Sequence, residues 1–332
     1  MFKHLRSLHF LSIDEIETIL ELAKDVKQKP GEYVHALEGK TLAMLFELPS
    51  LRTRNSFEAA MTQLGGHAIY IKCPPKETFP EESKELAGFI ADTWLGTIEG
   101  IKDKAKVLSR YVDVIMCRAT KNETLEALIK YSDVPVIDGM TPSFHPCQGL
   151  TDLFTILEKK GEFKRLKLAI VGDLGAQQDG ANVANSLMIG CAKVGIDVTA
   201  SCPEMNRYMP SGKPWEWTLE GAKETGTKIE IEHDPYKAVE GADVIYAYYQ
   251  YSFEAGPEAM RERMVMFPPY QVNTKLVKRA KPDVIVMHCL PAYRGLEITD
   301  AVIDGPHSVV YDQAENRLHT QKAILVLLTK KQ

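Results

Sequence analysis

The chain has 332 residues, 45% of them hydrophobic and 26% charged, with a formal net charge of −5. That length favours two domains, and the slightly acidic balance excludes the basic footprint a nucleic-acid partner requires. No apolar run reaches a membrane span and the N-terminus carries no signal-peptide pattern. The six cysteines (Cys73, Cys117, Cys147, Cys191, Cys202, Cys289) form no C-x-x-C pair, so reduced thiols in a cytoplasm are expected, not a zinc ribbon or a redox dithiol.

The first predicted element is a helix opened by the capping box Ser12-Ile13-Asp14-Glu15. Ile16, Ile19, Leu20, Ala23 and Val26 share its apolar face, and Pro30-Gly31 ends it. Residues 41–46 read as a buried strand. The turn Pro49-Ser50-Leu51-Arg52-Thr53-Arg54 follows, then a helix over 55–64 closed by Gly65-Gly66. This turn is the most informative stretch of the chain. Ser50 stands at an N-cap, where backbone N–H groups lack intrahelical partners. With two hydroxyls and two guanidinium groups crowding the same turn, it reads as a phosphate seat; the plainer reading is a capped helix with surface arginines.

Residues 67–71 give a second strand. Residues 72–100 are irregular, and Phe79 and Trp94 within them either close over a ligand or pack. A helix (101–111), a strand (112–117) ending at Arg118, a helix (123–131) and a strand (134–137) lead to Phe144-His145-Pro146-Cys147-Gln148. A helix over 149–159 then bridges to a second half. Its strands are expected at 166–171, 196–201, 229–232, 243–248 and 284–287, and its helices at 182–194 and 314–328. Alternating strands and helices in both halves imply two doubly wound α/β domains with mostly parallel sheets, linked by interdomain helices. The expected domains are 1–147, joined by 314–332, and 148–313. Ligands of such sheets bind beyond the carboxyl ends of strands. Ser50 to Arg54, Arg118, His145 to Gln148, Asp173 and His288 to Pro291 all fall there.

Gly172-x-x-Gly175 follows a strand, but its spacing departs from the dinucleotide fingerprint, so a nicotinamide oxidoreductase is a weak alternative. No Asp, Glu or His cluster has metal-ligand spacing, and neither a metal nor another cofactor is expected. Cys289 has no partner base nearby in sequence and reads as a polar contact at a strand end. The residues together describe a phosphate seat, a carbonyl-polarising set (Thr53, Arg118, His145, Gln148) and a distal loop near Cys289. That set suits transfer of an acyl-like group from phosphate to a nucleophile.

Four motifs, Ser50-Leu51-Arg52-Thr53-Arg54, His145-Pro146-Cys147-Gln148, His288-Cys289-Leu290-Pro291 and Asp312-Gln313-Ala314-Glu315-Asn316-Arg317-Leu318-His319, resemble the aspartate/ornithine carbamoyltransferase family, the last pointing to its ornithine branch. The resemblance runs from Leu11 to Leu328. It implies a carbamoyl phosphate domain followed by an amino-acid domain, a homotrimer with sites between subunits, and small-molecule substrates with no nucleic acid or membrane partner. It implies that Ser50, Leu51, Arg52, Thr53, Arg118, His145, Gln148 and Arg317 bind carbamoyl phosphate. Asn182, Tyr248, Ser252, Phe253, Cys289 and Leu290 would face the acceptor amine, and Arg52, Thr53, Arg118, His145, Gln148 and Cys289 would carry the chemistry. The expected product is citrulline or its analogue, formed by direct attack of a neutral amine with no covalent intermediate.

Three departures from the ornithine pattern stand out. Leu51 occupies the place of a threonine. In Ala247-Tyr248-Tyr249-Gln250-Tyr251-Ser252-Phe253-Glu254, Tyr248 replaces an expected acid, which Glu254 could restore from a new position. The stretch from Gly175 to Ala181 is longer than in plain ornithine enzymes and resembles a branch in which such a loop makes a knot. The acceptor thus stays open between ornithine, an N-acylornithine, putrescine and another amine. The non-enzyme alternative is a carbamoyl phosphate-binding regulatory relative.

Overall fold

The computed structural model describes residues 2–73, 99–175, 181–251 and 256–330. The chain divides into two compact units, Met1–Leu150 with Arg317–Gln332, and Thr151–Asn316. Both divisions fall inside helices.

The first unit contains α1 (Ile13–Gln28), β1 (Thr41–Phe46), α2 (Leu51–Gln63), β2 (His67–Lys72), α3 (Ile101–Tyr111), β3 (Val114–Arg118), α4 (Asn122–Tyr131), β4 (Val136–Met140) and the start of α5 (Pro146–Lys160). The capping box of α1 forms as expected: Ser12 Oγ accepts from Glu15 N and Glu15 Oε2 from Ser12 N, each at 3.1 Å. All five predicted apolar residues of α1 are buried. The sheet is parallel, in the order β2-β1-β3-β4. The chain passes from β1 to β2 on one side and returns to β3 on the other, so the winding reverses between β1 and β3. A crevice opens beyond the carboxyl ends of strands at such a point. Phe46 pairs with Arg118 at those two ends, and Glu47 N donates to Arg118 O at 3.0 Å.

The second unit contains β5 (Lys167–Val171), α6 (Asn182–Val194), β6 (Asp197–Ser201), α7 (Gly212–Thr225), β7 (Ile229–Ile231), α8 (Pro235–Ala238), β8 (Val244–Ala247), α9 (Gly256–Met266), α10 (Thr274–Val277), β9 (Ile285–Met287), α11 (Asp300–Ile303) and the start of α12 (Val310–Thr329). Its parallel sheet runs β7-β6-β5-β8-β9, and its winding reverses between β5 and β8. Gly172, directly after β5, has φ +156°, and a Cβ there would lie 2.6 Å from Tyr248 O. The two strand ends therefore approach as closely as only glycine allows. The core of this unit joins Ile245 and Val286 of the sheet to Phe267, Ile298 and Ile303.

Several boundaries differ from the sequence expectations for local reasons. α2 starts at Leu51, four residues early, because Ser50 caps it directly. α5 starts at Pro146, whose fixed φ suits a first helical position. α7 had no apolar stripe to announce it. Its buried residues are Pro214, Thr218, Gly221 and Ala222, small groups that let it pack closely on α6, with Thr225 Oγ1 donating to Ala192 O at 2.7 Å.

Candidate active site

The first-sheet site is built on the N-terminus of α2. Ser50 is its N-cap, and its Oγ accepts from Thr53 N at 3.3 Å. Leu51, Arg52 and Thr53 thus form the first helical turn, whose N–H groups and dipole favour an anion. Leu51 is 75% exposed, whereas Thr53 is buried. Arg54 does not join the seat. Its guanidinium carbon lies 3.9 Å from the Tyr70 ring centroid and its Nε 3.6 Å from Glu58 Oε2. The expectation of two guanidinium groups on this turn is corrected to one. Successive helical residues point about 100° apart, so Arg52 and Arg54 cannot share one face.

Arg317, on α12, takes part where Arg54 does not. It is buried, with Nη1 donating to Gln148 Oε1 at 2.8 Å and Nη2 to Thr53 Oγ1 at 3.3 Å. Gln148 lies in the first turn of α5, where its N–H and that of Gly149 both donate to His145 O. His145, buried just before Pro146, therefore starts that helix through its backbone. Arg118 ends β3, beside β1.

The electrostatics of this group are consistent. Burial, then the fields of Arg317 and Arg52, push the Arg118 guanidinium down to about 10. Burial, then Arg317, Arg118 and Arg52, holds His145 well below the usual histidine range. Three cations act on one another across a water-poor site, so an anion placed among them would be strongly favoured. The imidazole is neutral near pH 7 and can donate one hydrogen bond. The buried Nε of Arg118 meets no hydrogen-bond acceptor among the described residues.

The second-sheet site gathers Asn182, Tyr248, Cys289 and Leu290. Asn182 opens α6, whose N-cap, Ala181, offers no side-chain acceptor. The Tyr248 phenol oxygen fills that role by accepting from the N–H groups of Val183 and Ala184. Its hydroxyl is held well above the usual range by burial and then by Cys289 and Asp173. Cys289, partly exposed, precedes Leu290, which adopts φ +55° ahead of a cis Leu290–Pro291 bond. A left-handed leucine is held only where its surroundings fix it. Here Leu290 N donates to His288 Nδ1 at 2.8 Å. Nδ1 is therefore the acceptor, and Nε2 carries the proton toward Glu297 Oε1 at 3.2 Å.

Asp173 and Asp152, around this sheet end, are each engaged. Asp173 pairs with Arg263 at 2.6 Å and accepts from Gly175 N at 3.0 Å. Asp152 accepts from Gln313 Nε2 at 2.7 Å and Tyr246 OH at 3.1 Å, while Gln313 Oε1 takes His288 N. Ser252, Phe253 and Glu254 lie outside the described residues, as do Phe79, Trp94 and positions 176–180 of the long loop. Among the described residues, no three His, Cys, Asp or Glu side chains gather to hold a metal ion. Sequence reasoning missed Arg263 and the buried acid Asp138. The one signal for the latter was a charge inside an otherwise apolar strand.

The carbamoyl-phosphate-binding domain model of the aspartate/ornithine carbamoyltransferases matches residues 3–158, and the Asp/Orn-binding domain model matches 164–328. The chain is 50% identical to an ornithine carbamoyltransferase of Pyrococcus abyssi, over 95% of this chain and 92% of that one. It is 49% identical to the anabolic ornithine carbamoyltransferase of Pyrococcus furiosus, over 98% and 96%. Among solved structures, an ornithine carbamoyltransferase from Pyrococcus furiosus superposes with TM-score 0.87 at 47% identity, covering 99% of this chain and 98% of that one. An acetylornithine transcarbamylase complexed with acetylcitrulline superposes with TM-score 0.85 at 31% identity, covering 99% and 100%.

Proposed function

The chain belongs to the aspartate/ornithine carbamoyltransferase family, and from that premise we infer that it moves the carbamoyl group of carbamoyl phosphate to the side-chain amine of ornithine, giving citrulline and phosphate. The observation that carries this reading is the convergence of Thr53, Gln148 and Arg317, with Arg52, Arg118 and His145 acting on one another, at the reversal of the first sheet. The phosphate rests on Ser50, the backbone of Leu51, Arg52 and Thr53, and the Arg52 and Arg317 guanidinium groups. Arg118, the neutral His145 and Thr53 meet the carbonyl oxygen, and Gln148 meets the carbamoyl amide.

The neutral amine nitrogen attacks the carbamoyl carbon. Negative charge grows on the carbonyl oxygen, where preset donors stabilise the transition state more than the ground state. The C–N bond forms, the bond between the carbamoyl carbon and the bridging oxygen breaks, and the amine's proton passes to the departing phosphate. Asn182, Tyr248, Ser252, Phe253, Cys289 and Leu290 hold the acceptor. The protein acts as a homotrimer in the cytoplasm, a setting that suits six cysteines held in no disulfide. Sedimentation velocity reads the trimer directly.

One observation favours a second acceptor, an N-acylornithine. Tyr248 occupies the N-terminus of α6, and Asp173 and Asp152 of that sheet end are engaged. A free α-ammonium buried without a carboxylate would be costly. The test is phosphate release and product mass with ornithine, N-acetylornithine and putrescine in turn. Ornithine should give citrulline, and Arg52→Ala should lower the rate by about 10²–10³-fold through loss of a preset charge contact. A wild-type protein that turns over none of these amines would overturn the transferase reading of this site.

A further inference from the structure

Asp138 is fully buried at the middle of β4. It pairs with Cys117 in the sheet, and the register between β3 and β4 shifts directly after that pair, so Arg118 faces Met140. An irregularity of this kind re-aims the side chains beside it. Met140 has φ +150°, an unusual value for a residue with a side chain. The Asp138 carboxylate supports that backbone. Its Oδ1 accepts from Met140 N at 2.9 Å and its Oδ2 from Thr141 Oγ1 at 3.0 Å. Thr141 N then donates to Phe144 O at 2.9 Å, directly ahead of His145. On the other side, Ala119 N donates to Met140 O at 3.0 Å, tying the same turn to the residue after Arg118. Cys147 Sγ donates to Asp138 O at 3.4 Å. Directly or through Met140 and Thr141, these bonds connect Asp138 to Ala119 beside Arg118, to Phe144 beside His145 and to Cys147 beside Gln148.

Arg118, Arg52 and Arg317 repel one another, and Asp138 lies close enough for its charge, when ionised, to act on Arg118. Burial pushes the Asp138 carboxyl well above the usual range, against the opposing pull of its two hydrogen bonds and Arg118.

We propose that Asp138, through Thr141 and the 140–144 turn, is a positioning residue that sets Arg118 and His145 for the carbamoyl oxygen. It touches no substrate. The proposal rests on the carbamoyl transfer reading above. It assigns Asp138 to the polarising side of the site and leaves the phosphate seat on α2 independent of it.

The experiment compares Asp138→Asn, Thr141→Val and Thr141→Ser with the wild-type protein. It reads kcat for citrulline formation beside the calorimetric Kd for inorganic phosphate. The expected result is a fall in kcat of about 10-fold or more for Asp138→Asn, with the phosphate Kd within threefold. Thr141→Val should lose kcat in the same way and Thr141→Ser should regain most of it. A general loss of folded protein would instead lower kcat and the calorimetric binding stoichiometry together. Should Asp138→Asn fold poorly, the two Thr141 variants carry the test alone. Wild-type kcat in Thr141→Val, or equal losses of kcat and phosphate affinity, overturns the proposal while leaving the transferase reading intact. A wild-type protein that forms no carbamoylated product overturns both.

Discussion

His145 shows at the scale of one residue how a site fixes a protonation state. Its folded-state value lies below the ordinary histidine value, because burial and three guanidinium groups disfavour the imidazolium. Below pH 6.5 the unfolded chain binds a proton here that the folded chain refuses. Stability is therefore intact above that pH and falls as pH drops through it, by up to about 1.4 kcal/mol per pH unit while the folded ring stays neutral. Replacing His145 by Gln should flatten this slope in urea titrations between pH 5 and 6.5. An unchanged slope would mean that the ring takes up its proton in place. Leu51 makes the opposite point. Its side chain is exposed at the helix start, so that position can offer an anion only its backbone N–H.

The informative element is α2, and a comparison with α1 separates its two duties. Ser12 and Ser50 are both N-caps whose hydroxyls accept from the third residue of the helix. Removing either hydroxyl should cost about 1 kcal/mol of stability. Ser12→Ala should do only that, because its helix ends on no charged site. Ser50→Ala should also weaken phosphate binding several-fold, measured by calorimetry on both variants. Equal phosphate affinity in the two would remove the seat from α2. At the second sheet, α6 is capped by the phenol of Tyr248. That replaces a local cap by one from a strand end more than sixty residues away.

For the whole molecule, a ligand that binds only the folded chain raises its stability by mass action. Inorganic phosphate at 100 times its Kd should add about 2.7 kcal/mol, seen as a rise in melting temperature that Arg52→Ala abolishes. A rise that survives that substitution would place the anion elsewhere. The sequence by itself determined both parallel-sheet halves, the Ser50 cap, and the strand ends where Arg118, His145 and Cys289 stand. Those features rest on apolar periodicity and capping, which act over a few residues and are written in local order. It left unannounced the small-residue helix α7, which carries no apolar stripe. Only the tertiary structure decided that Arg54 turns to Tyr70 while Arg317 reaches Thr53 across 264 positions. Only it decided that Asp138 stands behind Arg118, and that Asp173 is engaged by Arg263. A buried charge takes whichever partner the packing brings within about 3 Å, because leaving it alone costs several kcal/mol. Which partner arrives depends on how distant segments pack, and no local pattern encodes that.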